Sequence, residues 1–179
     1  MNPQEVLEFW FEQATPEQHF RTDAAFDRAI RERFADVHEA AARCELSMWR
    51  AAPDGRLAEI IVLDQFSRNL FRGSPRAFAT DALALALAQE AIRADADRDM
   101  PAARRAFLYM PFMHSESRVI HADAERLFRQ PGLEGNYKFE LKHKAIIDRF
   151  GRFPHRNQVL GRQSTPDERT FLQEPGSSF

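Results

Sequence analysis

Leu57-Ala58-Glu59-Ile60-Ile61-Val62-Leu63-Asp64-Gln65-Phe66-Ser67-Arg68-Asn69-Leu70-Phe71-Arg72 decides the fold. On a helical wheel it is apolar nearly all round. Leu57, Ile60, Ile61 and Phe71 lie on one side, and Val62, Leu63, Phe66 and Leu70 on the other. A helix with no polar face has to be central and covered by other helices. Asp64 and Arg68 stand inside the first apolar face, four residues apart with the acid first, the better order for an ion pair across one turn. Arg72 sits one turn on, at the edge. Burying such charges costs several kcal/mol each unless they are paired. The pair therefore either fixes helix packing or lines a pocket.

On both sides of this segment the chain reads as helices with short punctuation. Pro53-Asp54-Gly55 breaks the chain before it. Further upstream, Phe26, Ile30, Val37, Ala41, Cys44 and Met48 form one core-facing stripe on a single helix. Cys44 in that stripe reads as a buried small hydrophobe. Asn2-Pro3-Gln4-Glu5 opens the first helix, whose apolar face is Val6, Leu7, Trp10 and Phe11. Downstream, Gly73-Ser74-Pro75 ends the central helix, with Ser74 as a cap, and the next helix runs to about Ala94 with Phe78, Leu85 and Ile92 on one face. Residues 95–100 are a polar loop. Pro101 opens a helix that Pro111 should kink or split, and Pro131-Gly132 ends its second part. A helix from about Tyr137 to Phe150 follows, then an aperiodic stretch from Gly151 to Ser164. Thr165-Pro166-Asp167-Glu168 starts a last short helix that stops at Pro175-Gly176.

No segment alternates apolar and polar residues between turn signals, so no sheet is expected. The expectation is a single all-α domain over residues 1–179, with about eight helices in stacked antiparallel hairpins. No repeat of fixed period is present.

With 179 residues, 44% hydrophobic and 29% charged, the chain is long enough for one substantial core. Mean hydropathy is −0.52, and no apolar run approaches the roughly 18 residues of a membrane span. The acidic start MNPQEVLEFWFEQ does not have the form of an export signal. One cysteine excludes an internal disulfide and a thiolate metal cluster. These features favour the cytoplasm and no membrane partner. The net charge of −2 argues against nucleic acid as a partner. The charge is uneven, however. Residues 1–60 hold seven basic and twelve acidic side chains, and residues 138–179 hold eight and five. Only Lys138, Lys142 and Lys144 are lysine and the other 22 basic residues are arginine, the side chain suited to bidentate carboxylate or phosphate contacts. A GC-rich genome gives the same excess.

Two more polar clusters accompany Asp64 and Arg68. In the first, Phe112-Met113-His114-Ser115-Glu116-Ser117 follows Pro111, and His114, Arg118, His121 and Glu125 share one side if the helix continues. His121 and Glu125 have i, i+4 spacing, but there is no HExxH, and His114 and His121 are two turns apart, so no metal is expected. The second is Phe150-Gly151-Arg152-Phe153-Pro154-His155-Arg156-Asn157 with Gly161-Arg162, an anchored loop whose arginines either serve a site or cap helix ends. Asp81 and Gln89 flank the apolar face of the neighbouring helix. His143, on the Phe139, Ile146, Phe150 face, reads as a satisfied core residue. No GxSxG, P-loop or GxGxxG appears, so no cofactor is expected. Ser74 and Ser115 read as caps.

Several of these segments resemble a known family. They are Phe9-Trp10-Phe11, Leu63-Asp64-Gln65-Phe66-Ser67-Arg68-Asn69-Leu70-Phe71-Arg72-Gly73, Ala77-Phe78-Ala79-Thr80-Asp81, Phe107-Leu108-Tyr109-Met110-Pro111-Phe112-Met113-His114-Ser115-Glu116 and Arg149-Phe150-Gly151-Arg152-Phe153-Pro154-His155-Arg156-Asn157. Together they resemble the mainly bacterial family catalogued as domain of unknown function 924. Ser67 stands where that pattern has proline, and His121 where it has glutamine. The resemblance implies an all-helical, tetratricopeptide-like superhelix and no particular reaction.

Two functions are consistent with this sequence. The first is a small-molecule site, enzymatic or not. In it Asp64, Arg68, Arg72, Asp81, Arg156, Asn157 and Arg162 bind a small anionic metabolite, and His114, Glu116 and His155 are the candidates for acid–base work. The second is a helical scaffold that takes a peptide or protein in a groove. Convergence of the clusters on one cavity favours the first.

Overall fold

The computed structural model describes residues 2–178. Among them the secondary structure is helical throughout, with no strand. Nine helical runs replace the eight expected. They are α1 (Pro3–Glu8), which continues through a π turn at Phe9–Gln13, α2 (Pro16–Phe20), α3 (Ala24–Ala42), α4 (Pro53–Ile61), which continues through a π turn at Val62–Phe66 into α5 (Ser67–Leu70), α6 (Asp81–Arg93), α7 (Ala102–Met113), α8 (Arg118–Phe128), α9 (Glu134–Phe150) and α10 (Pro166–Phe171).

The segment without a polar face is the centre of the molecule. Every residue from Leu57 to Ser67 is buried. Helices α1, α6 and α7 pack on α4, and α3 packs on α5 and the π turn before it. Leu57, Ile60, Ile61, Leu63 and Phe66 are fully buried, each contributing about 1.5–3 kcal/mol. Glu59 is buried with them and is held by two bonds from Arg50, 2.6 and 2.7 Å long.

Three punctuation marks act differently from their sequence reading. Pro53-Asp54-Gly55 starts α4 instead of preceding it. Gly55 is inside the helix because a Cβ there would lie 2.0 Å from the Trp49 carbonyl oxygen. The stripe ending in Cys44 and Met48 stops at Ala41, because α3 ends at Ala42. Cys44 N–H bonds to Ala41 O and Glu45 N–H to Ala40 O. These two bonds close a helix end with Cys44 in the left-handed conformation at φ 60°. Glycine usually fills that place, so its absence hid the helix end. Cys44 is exposed and Met48 is 83% exposed, so neither belongs to the core. Pro111 lies inside α7, and the helix ends two residues after it, at Met113, with His114 as its C-cap. Consequently His114 is not on the helix that carries Arg118, His121 and Glu125.

Caps were legible. Asn2 and Ser74 accept from Gln4 N–H and Arg76 N–H, and Thr165 and Glu168 form a capping box. Ser115 accepts no cap hydrogen bond; its carbonyl accepts from His121 instead. At the C-terminal side, Gly151 ends α9 at φ 72°. The chain then turns through Pro154–Arg156 and packs Phe153 on Ile146 and Ile147, with Phe150 and Phe171 at the edge. No helix among the described residues is long and apolar enough to cross a membrane.

Candidate functional site

The π turn at Val62–Phe66 carries Asp64, which is 1% exposed. Such wide turns inside helices often mark functional places. Its Oδ1 accepts Nδ1–H of His114 at 2.8 Å, and its Oδ2 accepts Nε2–H of Gln65 at 2.6 Å. Arg68 lies 3.4 Å from the same Oδ1 and donates to the Asp64 carbonyl at 2.6 Å. Burial alone would raise the Asp64 pKa. The adjacent Arg68 and His114 outweigh that effect and hold it well below the usual carboxylate range. Asp64 is therefore an acceptor only, and His114 must carry its proton on Nδ1. Burial, then Arg68, push the His114 pKa down against the pull of Asp64. The imidazole is neutral near pH 7, with a lone pair on Nε2. That nitrogen makes no hydrogen bond among the described residues, and His114 borders an open cleft of about 370 Å³.

Asp81, the first residue of α6, links the Asp64–Arg68 pair to the loop that carries Arg156. Its carboxylate takes two bonds from Arg68, at 3.0 and 3.1 Å, and one from Arg156, at 3.3 Å. Arg156 is 6% exposed. Its guanidinium is held between the rings of Phe78 and Phe153, each 4.6 Å from Cζ. The long bond to Asp81 is the one hydrogen bond it makes among the described residues, and its Nε is buried without a partner. Burial and Arg68 bring its pKa down to about 10, against Asp81, Glu116 and Asp64. Asp81, His114, Glu116 and Arg156 are the ionisable groups on the cleft wall.

Other expected residues go elsewhere. Arg72 and Asn69 bind Asp27 of α3, away from the cleft, with two 2.8 Å bonds from Arg72. Glu116 borders the cleft, but Arg162 holds it through bonds of 2.6 and 2.9 Å, and Phe153 N–H through one of 2.7 Å. Arg162 also donates to Asn157 Oδ1. Asn157 donates to Ser164 and to Glu168, which Arg152 clamps with two bonds. Arg162 and Asn157 thus belong to a strut that fixes the C-terminal segment. His155 is half-buried beside Phe153, and burial and Arg156 bring its pKa down to about 4.

His121 and Glu140 are both fully buried and bond at 2.7 Å, while the other His121 nitrogen donates to Ser115 O at 2.8 Å. Glu125 pairs with Arg129. Both ring nitrogens of His121 are occupied, which answers the metal spacing noted in the sequence. No group of three or more His, Cys, Asp or Glu is placed to hold a metal ion among the described residues. His143 is buried and bonds to Phe139 O.

Residues 6–176 match the family described as bacterial protein of unknown function, DUF924. The chain belongs to the DUF924 family. Its structure is similar to that of the protein of unknown function ATU0120 from Agrobacterium tumefaciens, with a TM-score of 0.91, 42% identity and 96% of each chain covered. No curated protein matches. Family membership thus assigns no activity, and the DUF924 site has to be judged by its own chemistry.

Three features are absent from the sequence reading. His114 stands there beside Glu116 and His155 as an acid–base candidate, whereas its partner is Asp64. Arg156 stands on an anchored loop with no sign of its burial, and nothing marks Phe78 and Phe153 as the rings that hold it. Phe78 looked like a core position, and nothing in the spacing separates a ring that packs on leucine from one that packs on guanidinium.

Proposed function

We propose that this DUF924 protein binds a small anionic metabolite in the cleft between Asp81, His114 and Arg156, with His114 acting as a base on the bound molecule. The observation that carries this reading is the state of Arg156. It is a buried cation at a cleft wall, with most of its donors unspent and a shared, long bond as its one pairing among the described residues. The His114–Asp64 pair supports the chemical half. A buried carboxylate fixes the tautomer and orientation of the imidazole and leaves Nε2 bare, the arrangement a general base needs. Asp81 already shares its charge between Arg68 and Arg156, so the site is partly compensated before any ligand enters. A cytoplasmic setting fits a chain with one cysteine.

A melting-temperature screen with anionic and neutral metabolites, at low and high salt, tests the reading. An anion at about 100 times its dissociation constant should stabilise the fold by roughly 2.7 kcal/mol. Arg156→Lys should lose most of that shift, because a point charge cannot replace the fork. His114→Gln should keep binding and lose any turnover. No shift with any anion would refute the proposal.

A further inference from the structure

We propose that the ligand is an amphipathic monocarboxylate, with a short apolar chain or ring, and not a phosphate or a dicarboxylate. The inference rests on the anion-binding reading above and narrows it by charge and by wall chemistry.

The charge comes first. Three cations and three carboxylates surround the cleft. Arg162 is committed to Glu116 by two bonds, and Arg68 to Asp81 by two more and to Asp64 at 3.4 Å. Arg156 is the one of the three that makes a single side-chain hydrogen bond among the described residues. One underused guanidinium matches one negative charge. A second charge on the ligand would meet Asp81 and Glu116, the two carboxylates on the same wall, and like charges at that range repel. Phosphate monoesters and dicarboxylates carry that second charge near neutral pH.

The walls come second. Beside the polar groups the cleft is lined by Phe78, Ala82, Leu85, Pro111 and Leu160. Leu85 and Leu160 are half-buried, and Ala82 is exposed, so their carbons still face water and gain by being covered. A carboxylate on Arg156 would direct its hydrocarbon along these side chains. A purely polar anion would leave them wet. The cleft volume of about 370 Å³ lies at the small end of ligand sites, which limits the chain to a few carbons.

The test is titration calorimetry of the full chain with the straight-chain carboxylates from acetate to octanoate, beside inorganic phosphate and succinate. Each methylene that reaches Leu85 and Leu160 should tighten the dissociation constant about fourfold, until the series levels off where the cleft ends. Phosphate and succinate should bind more weakly than butanoate. Leu160→Ala should flatten the gradient. Ala82→Leu fills the cleft from an exposed helical position that tolerates leucine, and should remove hexanoate binding while sparing acetate. If acetate and hexanoate bind equally, or phosphate binds best, this inference is wrong while the anion site stands. If no carboxylate and no phosphate binds, the anion site itself is wrong.

Discussion

Two polar clusters meet at the C-terminal segment, and they differ in how their hydrogen bonds are spent. Around Glu168, every strong group has a partner. Arg152 clamps the carboxylate, Asn157 and Thr165 N–H add to it, and Arg162 closes the chain on Glu116. Around Arg156, among the described residues, one long bond serves five donors, and His114 Nε2 has none. Both clusters consist of arginines beside carboxylates, and both are mostly hidden from water. The first is a strut and the second is the edge of a cleft. Residue type does not distinguish them; the count of unspent donors does.

The largest effect should come from breaking the strut. Glu168→Ala leaves the buried Asn157, the half-exposed Arg152 and Thr165 N–H without their shared acceptor. The expected loss is about 3 kcal/mol or more, a fall of roughly 6–12 °C in melting temperature for a domain of this size, with carboxylate affinity reduced only as far as the segment loosens. If Glu168→Ala melts like the parent, the strut is decorative and the comparison fails.

Acid should be next. Burial lowers the folded-state pKa of His155 to about 4 and of His143 to about 3. A depressed imidazole contributes stability that is present above its unfolded value near 6.5 and lost as pH falls below it. Each should cost about 2 kcal/mol by pH 5, and the lowered carboxylates Asp64, Glu116 and Glu168 add to the loss only below about pH 4. Glu140, whose pKa burial raises, works in the opposite direction and offsets part of it. Melting curves from pH 8 to 4 should fall most steeply below pH 6.5, and His155→Phe should reduce the slope. A flat profile down to pH 5 would contradict buried neutral imidazoles.

Removing an arginine from the cleft should cost less stability than breaking the strut and more binding. Arg156→Gln gives up contacts with two rings and one long bond, on the order of 1–2 kcal/mol, and should abolish the ligand-induced melting shift. The smallest effect belongs to Arg72→Ala. Its pair with Asp27 is 41% exposed on the arginine side, so a loss under about 1 kcal/mol is expected, with ligand binding unchanged. An equal loss of binding in both variants would mean that the two arginines do not differ in kind.

Much of this is legible in the sequence. The segment Leu57–Arg72 has no polar face, and that alone requires a helical shell around it. Proline and capping signals mark the starts of α1, α7 and α10, while the capping box of α2 and the Asp23 cap of α3 are passed over. Helix ends were harder. Cys44 takes the left-handed position after α3 without being glycine, so no sequence signal marked that end. The three polar clusters could be named from charged groups on apolar or anchored segments, and the Asp64–Arg68 pair from its spacing, but not the bonds that join one cluster to another. The His114–Asp64 contact joins residues 50 positions apart, and it depends on where α7 ends after Pro111. Arg72 and Arg68 look alike at helical spacing. They separate because one faces Asp27 and the other Asp81, which local periodicity does not encode.

The most direct test of the central claim is histidine-selective nitrogen NMR of the protein at pH 7 during titration with hexanoate. The account predicts that His114 is neutral, protonated on Nδ1 and bare on Nε2, and that its Nε2 signal moves with saturation in the parent and stays still in Arg156→Gln. A proton on Nε2 in the free protein, or hexanoate binding that leaves this nitrogen unmoved, would contradict it.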